Sequence, residues 1–137
     1  MFTIRTLFIM RTETLLRMMY CAVEEGVKII GPSYIAENLH ISKSTAQKML
    51  IRLSKLGLGD YVPKKGFIFN EKGLKVAEKA LRKHRLIECM LAELGVNDVC
   101  REAEKIESSI GEELLKVLEN RYGNRKFCPC GNKIPEL

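Results

Sequence analysis

Residues 31–70, GPSYIAENLHISKSTAQKMLIRLSKLGLGDYVPKKGFIFN, constrain the fold more than any other stretch of the chain. Ser33 is placed to cap a short helix whose apolar positions are Ile35, Ala36 and Leu39. His40, Ile41 and Ser42 make a tight turn, and Ser42 can cap a second helix. In that helix Ala46, Met49, Leu50, Leu53 and Leu56 recur at three- and four-residue intervals until Gly57 stops it. Two helices joined by a short turn with an apolar residue inside it form a helix-turn-helix. Two brief apolar runs then flank Pro63-Lys64-Lys65-Gly66, namely Tyr61-Val62 and Phe67-Ile68-Phe69, which predicts a hairpin with a basic tip. A helix-turn-helix followed by a hairpin is a winged helix. A generic helical hairpin plus β-hairpin has the same apolar spacing, but it has no need for bases on both the second helix and the hairpin tip.

Charge distribution supports a polyanion as the ligand. Of the chain's net +6, the window His40–Phe69 carries +5, with six bases (Lys43, Lys48, Arg52, Lys55, Lys64, Lys65) against Asp60. From Asp98 to Glu119 the balance reverses, with seven acids against Arg101, Lys105 and Lys116. A basic half beside an acidic half predicts a nucleic-acid-binding module joined to something else. On the winged helix, the face of the second helix opposite its apolar stripe shows Lys43, Ser44, Gln47 and Lys48. Arg52 and Lys55 follow further along it, and Lys64 and Lys65 stand on the hairpin tip. Gln47 has the donor and acceptor for a bidentate contact with adenine, whereas the lysines and Arg52 suit phosphates.

The remainder reads as helix, so the fold class is mainly α. RTETLLRMMYCAVEEG is an amphipathic helix stopped by Gly26, and the ten residues before its core fit no pattern: strand, helix extension or dimer arm. Asn70 is expected to cap a long helix to Gly95, Asn97 a second one, and GEELLKVLENRYG forms a third. The domain expectation is residues 1–70 as the winged helix, with 1–10 an unassigned extension, and 71–137 as a helical domain. No apolar run nears the roughly 20 residues of a membrane span, and TLFIM between Arg5 and Arg11 lacks the pattern of a signal peptide. Five cysteines without a regular framework point to a reducing cytoplasm.

His84 and Glu88 share the otherwise apolar stripe of the long helix, four residues apart. They are either a buried hydrogen-bonded pair or metal ligands. Cys100, Glu104 and Glu107 line up on the next helix, where a lone cysteine is commonly a small hydrophobe and the two acids a solvated face. Cys128 and Cys130 flank Pro129 as metal ligands, a redox couple or a turn, although the usual dithiol motif has two intervening residues. No nucleophile–base set or phosphate-binding glycine loop is present, so no enzyme is expected.

The first helix ending in Glu24-Glu25-Gly26-Val27, the winged helix, RKHRLIE (Arg82–Glu88), the acidic helix and CPCGNKIP (Cys128–Pro135) together resemble the DtxR/MntR family of metal-dependent repressors of metal-uptake genes. The likeness covers roughly residues 12–135, and the chain looks like the short form lacking an SH3-like domain. It implies a homodimer on double-stranded operator DNA, with the first turns of the second helix (Ser42, Lys43, Ser44, Thr45, Gln47 and Lys48) in the major groove, residues 71–137 as the dimerisation and metal-binding domain, and a divalent metal as corepressor. It implies His84, Glu88 and Cys100 as the better-preserved ligand set. Glu104 and Glu107 stand at further ligand positions, and Cys128 or Cys130 is able to fill an open coordination position. The sequence departs from the family pattern at Thr14 and Ser108, which replace usual ligands, and Arg17 stands one turn after Thr14. A set of imidazole, carboxylate and thiolate favours zinc or ferrous iron over manganese. The alternatives are a metal-independent or thiol-responsive regulator, or a winged-helix protein-interaction module.

Overall fold

The computed structural model describes the backbone of residues 4–137 and the side chains from residue 12 onward. Its elements run α1 (Ile4–Glu24), α2 (Pro32–Leu39), α3 (Lys43–Lys55), β1 (Gly59–Val62), β2 (Gly66–Phe69), α4 (Glu71–Glu93), α5 (Val99–Ile106), a 3-10 turn (Glu107–Ser109) and α6 (Glu112–Tyr122). The chain is mainly helical with one antiparallel hairpin, as the periodicities predict. Residues 4–10, which matched no pattern, extend the first helix, while residues 1–3 lie outside the described residues. Two compact units result: Met18–Ala77, and the chain up to Arg17 together with Glu78–Leu137. The sequence expectation changed domain at the start of α4, whereas the units change over seven residues later, inside that continuous helix.

In the unit Met18–Ala77, Ile35, Leu50, Leu53 and Phe67 are fully buried and fix α2, α3 and the hairpin around one core. Leu and Ile side chains buried to this degree each contribute about 1.5–3 kcal/mol relative to exposure. Ser42 caps α3 as expected, accepting from the Thr45 N–H at 3.1 Å. The cap of α2 is a correction: Gly31, not Ser33, precedes the helix, because Pro32 takes the first helical position. Proline's fixed φ suits that position, and its missing N–H is one the helix start leaves unpaired anyway. His40 closes α2 in the left-handed region, and Ile41 N–H bonds back to Ala36 O at 3.1 Å.

The hairpin pairs Gly59 with Phe69, Tyr61 with Phe67 and Val62 with Gly66, which leaves Pro63, Lys64 and Lys65 as its tip. Lys64 takes φ +66°, and Lys65 N–H bonds Val62 O at 3.0 Å. Ile30 adds a short third edge through reciprocal bonds with Phe67 of 2.9 and 2.8 Å. Gly66 permits this approach, since a Cβ there would stand 2.5 Å from Ile30 O, and its φ is +135°. Asn70 caps α4 by accepting from Gly73 N–H, and its amide also donates to Gly57 O, both at 2.8 Å.

In the other unit, Leu86, Ile87, Cys89 and Leu91 of α4 pack with Val99 and Ala103 of α5, Leu118 and Tyr122 of α6, and Cys128 and Ile134 of the tail. The α5 cap is a second correction, since Asp98 and not Asn97 accepts the Arg101 N–H. Both residue types cap well, so composition alone left the choice of neighbour open. The tail folds into a tight turn: Phe127 bridges Lys133, Cys128 N–H bonds Asn132 O, and Gly131 N–H bonds Cys128 O at 2.9 Å. Two arginines tie this turn to α4. Arg82 grips the Glu119 carboxylate with two bonds of 2.8 and 2.6 Å and donates to Pro135 O at 2.7 Å, while Arg85 donates to Lys133 O.

Candidate metal centre and nucleic-acid interface

One helical turn on α4 puts His84 and Glu88 on the same face, and both are nearly fully buried. The start of α5 brings Cys100 to them. One donor atom from each of the three lies within 4.8 Å of the others. His84 Nε2 stands 3.8 Å from Glu88 Oε1 and 3.6 Å from Cys100 Sγ. A second such group, Glu88 with Cys128 and Cys130, shares the same carboxylate. Within it Cys130 Sγ donates to Glu88 Oε2 at 3.2 Å.

Glu107 and Glu104 are not brought into this cluster. Glu107 is buried on the other ring nitrogen, 2.5 Å from His84 Nδ1. Its remaining contacts come from the Thr14 hydroxyl at 2.9 Å and the Arg17 guanidinium at 3.2 and 3.3 Å. Burial pushes the Glu107 carboxyl up, but His84, Arg17 and Thr14 together outweigh it, and the group ends below its ordinary value. An ionised carboxylate only accepts hydrogen bonds, so Nδ1 donates to Glu107, and this pairing leaves Nε2 facing Glu88 and Cys100. A carboxylate that orients an imidazole in this way is the usual support behind a metal-bound histidine. Glu104 is exposed and meets Arg17 at 3.7 Å. Thr14, which stands where the resemblance implies a ligand, and Arg17 one turn later thus serve to hold Glu107.

The thiols feel the crowding of negative groups. Burial, then the Glu88 carboxylate, raises Cys100 above its ordinary value. Burial and the bond to Glu88 push Cys130 up to about 12. A divalent cation would reverse both effects, because thiolates bind it as anions. The donor types present, imidazole, carboxylate and thiol, fit a borderline or soft divalent metal.

On the reading side, Ala46, Met49, Leu50 and Leu53 face the core of their unit. The opposite face of α3 exposes Ser42, Lys43, Ser44, Gln47, Lys48, Arg52 and Lys55. Thr45 is half-buried and shares a 2.9 Å hydrogen bond with the Ser42 hydroxyl, so it is partly committed to the cap. Lys64 and Lys65 are exposed at the hairpin tip. Among the described residues no helix is long and apolar enough to cross a membrane.

Sequence reasoning missed the burial of Glu107 and its clasp by Thr14 and Arg17, partners about 90 residues away that no local pattern connects. It also left open which tail cysteine turns toward Glu88. The Cys-Pro-Cys spacing is compatible with a turn, but only the folded tail separates the buried Cys128 from the exposed Cys130.

Two family models match the chain in tandem. Residues 8–67 match the N-terminal DNA-binding domain of iron-dependent repressors, and residues 70–136 match their metal-binding and dimerisation domain. An HTH-type transcriptional regulator of Methanocaldococcus jannaschii is 33% identical over 110 residues, which cover 78% of this chain and 88% of the relative. The iron-dependent repressor IdeR of Mycobacterium bovis is 33% identical over 129 residues, covering 92% of this chain and 56% of that protein. A solved manganese-dependent transcriptional repressor in complex with manganese superposes with a TM-score of 0.81 at 27% identity, covering 91% of this chain and 58% of that one. ScaR with bound Zn2+ superposes at 0.72 and 30% identity, covering 91% and 59%. The chain therefore spans little more than half the length of several relatives it matches.

Proposed function

The chain belongs to the iron-dependent repressor family, the DtxR/MntR group, and from that membership we propose that it is a divalent-metal-responsive, DNA-binding transcriptional repressor that works as a homodimer. The observation that carries the metal half of this reading is the orientation of His84 by Glu107. It turns Nε2 toward Glu88 and Cys100 on two packed helices. Bound there, the metal supplies positive charge to a pocket of anionic donors. His84 and Glu88 hold it from α4 and Cys100 holds it from α5, so occupancy ties these two helices together.

The DNA half rests on the exposed basic face of α3 and on the wing. Ser42, Lys43, Ser44, Gln47 and Lys48 enter the major groove, with Gln47 the side chain best suited to a base edge, and Thr45 lies beside them. Arg52, Lys55, Lys64 and Lys65 grip phosphates. A zinc or ferrous corepressor is favoured over manganese by the thiol in the set.

The test is selection of a duplex from a random pool, followed by binding to it after chelation and after readdition of Zn2+, Fe2+ or Mn2+. Affinity that falls on chelation and returns with metal supports the reading. Unchanged affinity after verified metal removal would leave a metal-independent regulator. Absence of steep salt dependence on any duplex would favour a protein-interaction module instead.

A further inference from the structure

Glu107 is saturated by donors from two helices. A carboxylate offers about four lone-pair sites, and a matching set of N–H and O–H groups converges on this one. Oε1 accepts from the Thr14 hydroxyl at 2.9 Å and from Arg17 Nη2 and Nε at 3.2 and 3.3 Å, while Oε2 pairs with His84 Nδ1 at 2.5 Å. The same guanidinium stands 3.7 Å from Glu104 Oε1, so one cation serves both acids. Neither Glu104 nor Glu107 joins a cluster of three metal-capable donor atoms among the described residues.

We propose that the Arg17 guanidinium is the resident cation of this acidic position and stands in for a second divalent ion. The chain then binds metal through His84, Glu88 and Cys100 and takes none at Thr14, Glu104, Glu107 and Ser108. The proposal rests on the metal-responsive reading and fixes which part of the centre takes an ion.

Charge and donor chemistry agree on this. A guanidinium has five N–H donors and no lone pair to give, and it keeps its proton at any pH a folded chain tolerates. It neutralises carboxylates as a metal ion does, yet it is neither a ligand nor able to step aside by deprotonation. A zinc-like ion on Glu107 would have to come within about 2.0–2.2 Å of a carboxylate oxygen. Oε1 already holds three donors, and a dication there would face the guanidinium inside a buried pair, where repulsion is poorly screened. Thr14 and Ser108 bring hydroxyls, whereas transition metals are held by thiolate, imidazole and carboxylate. Arg17 and Thr14 thus fasten α1 to Glu107 whether or not metal is bound, and occupancy at His84, Glu88 and Cys100 acts on α4 and α5.

The test uses the full chain, stripped of metal and then equilibrated by dialysis with Zn2+ or Mn2+, with bound ions counted per chain at saturation. Glu104→Gln should change zinc affinity by no more than about twofold, because Glu104 is exposed and such a pairing is worth little. Arg17→Glu replaces the cation with a third carboxylate and should take up one divalent ion more per chain than wild type. Mn2+ should suffice for that gain, since all three acids are oxygen donors. Added Mn2+ should also raise the Tm of Arg17→Glu by more than that of wild type, because the ion then supplies the missing positive charge. Helicity by circular dichroism shows which variants fold, and Glu104→Gln still decides the matter where Arg17→Glu does not. A fall of roughly tenfold or more in zinc affinity in folded Glu104→Gln makes Glu104 part of a metal site beside Arg17 and overturns the proposal. A folded Arg17→Glu that gains no ion overturns it too. Uptake by Arg17→Glu and none by wild type keeps the role of Arg17 and overturns the metal-responsive reading, whereas uptake by neither overturns both.

Discussion

Arg17 sets its guanidinium 3.2 Å from the Glu107 carboxylate, with only 10% and 2% of the two side chains exposed. The pair is buried, and Glu107 passes its orientation on to His84. Removing one member of a buried ion pair leaves the other charge without compensation, which generally costs about 3–5 kcal/mol. Arg17→Met is therefore expected to lower the urea-derived stability by about that amount. It should also weaken Zn2+ binding by roughly 10- to 100-fold, as loss of outer-shell support does. A stability loss below about 1 kcal/mol would mean that the pair behaves as an exposed one.

The helix-turn-helix and wing were legible because their determinants are local. Ser42 caps the helix that immediately follows it, and Met49, Leu50 and Leu53 share a face at helical spacing. His84 and Glu88 were legible as a pair for the same reason, four residues apart on one helix. The neighbourhood of that pair was not. Cys100 reaches it only once α5 is packed on α4, and Glu107 became a buried anchor through Thr14 and Arg17 on a distant helix. The cap errors at Ser33 and Asn97 have a smaller origin. Adjacent residues competed for one role, and in the first case Pro32 decided it.

Arg82 joins α4 to α6 and to the tail, donating to the Glu119 carboxylate, to Pro135 O and, at 3.2 Å, to Gly123 O. The Glu119 carboxylate raises the guanidinium pKa by hydrogen bonding, against an opposing effect of burial. Hydrogen bonds to a charged group are worth about 1.5–3 kcal/mol, more than neutral ones. Arg82→Ala should destabilise the chain by roughly 2–3 kcal/mol. It should also expose the bond after Lys133 to trypsin, read as earlier cleavage by mass spectrometry. Cleavage at the wild-type rate would show that Arg85 alone holds the turn.

Glu93 gives a pH dependence with a definite sign. The hydrogen bond from Arg121, followed by that from the Tyr122 hydroxyl, lowers its carboxyl from 4.5 to about 2. A group whose pKa is depressed in the folded state adds stability above its ordinary value and loses it as the pH falls toward the folded one. The contribution is thus complete above pH 4.5 and disappears towards about pH 2. Because the site is exposed, solvent and salt weaken it. In Arg121→Ala the Glu93 carboxyl should titrate above about 2 by NMR but short of 4.5, since Tyr122 still donates to it, and the acid-side fall in Tm should become shallower. An unchanged titration would assign the shift to Tyr122 alone.

Lys64 and Lys65 separate affinity from sequence reading. Both are exposed at the hairpin tip, on a different element from Gln47 and Lys48 of α3. A lysine on phosphate contributes counterion release, which depends on salt and not on base identity. Lys64→Ala with Lys65→Ala should weaken binding to all duplexes alike and reduce the slope of log K against log salt by about 1 for each lysine that grips a phosphate. Gln47→Ala should do the opposite, leaving the slope unchanged and relaxing preference at one base pair at a cost of about 1–3 kcal/mol. Fluorescence anisotropy over a salt series, on the selected duplex and its single-base variants, distinguishes the two outcomes. A double lysine variant that changes base preference at constant slope would remove the hairpin from the phosphate backbone and reassign it to groove reading.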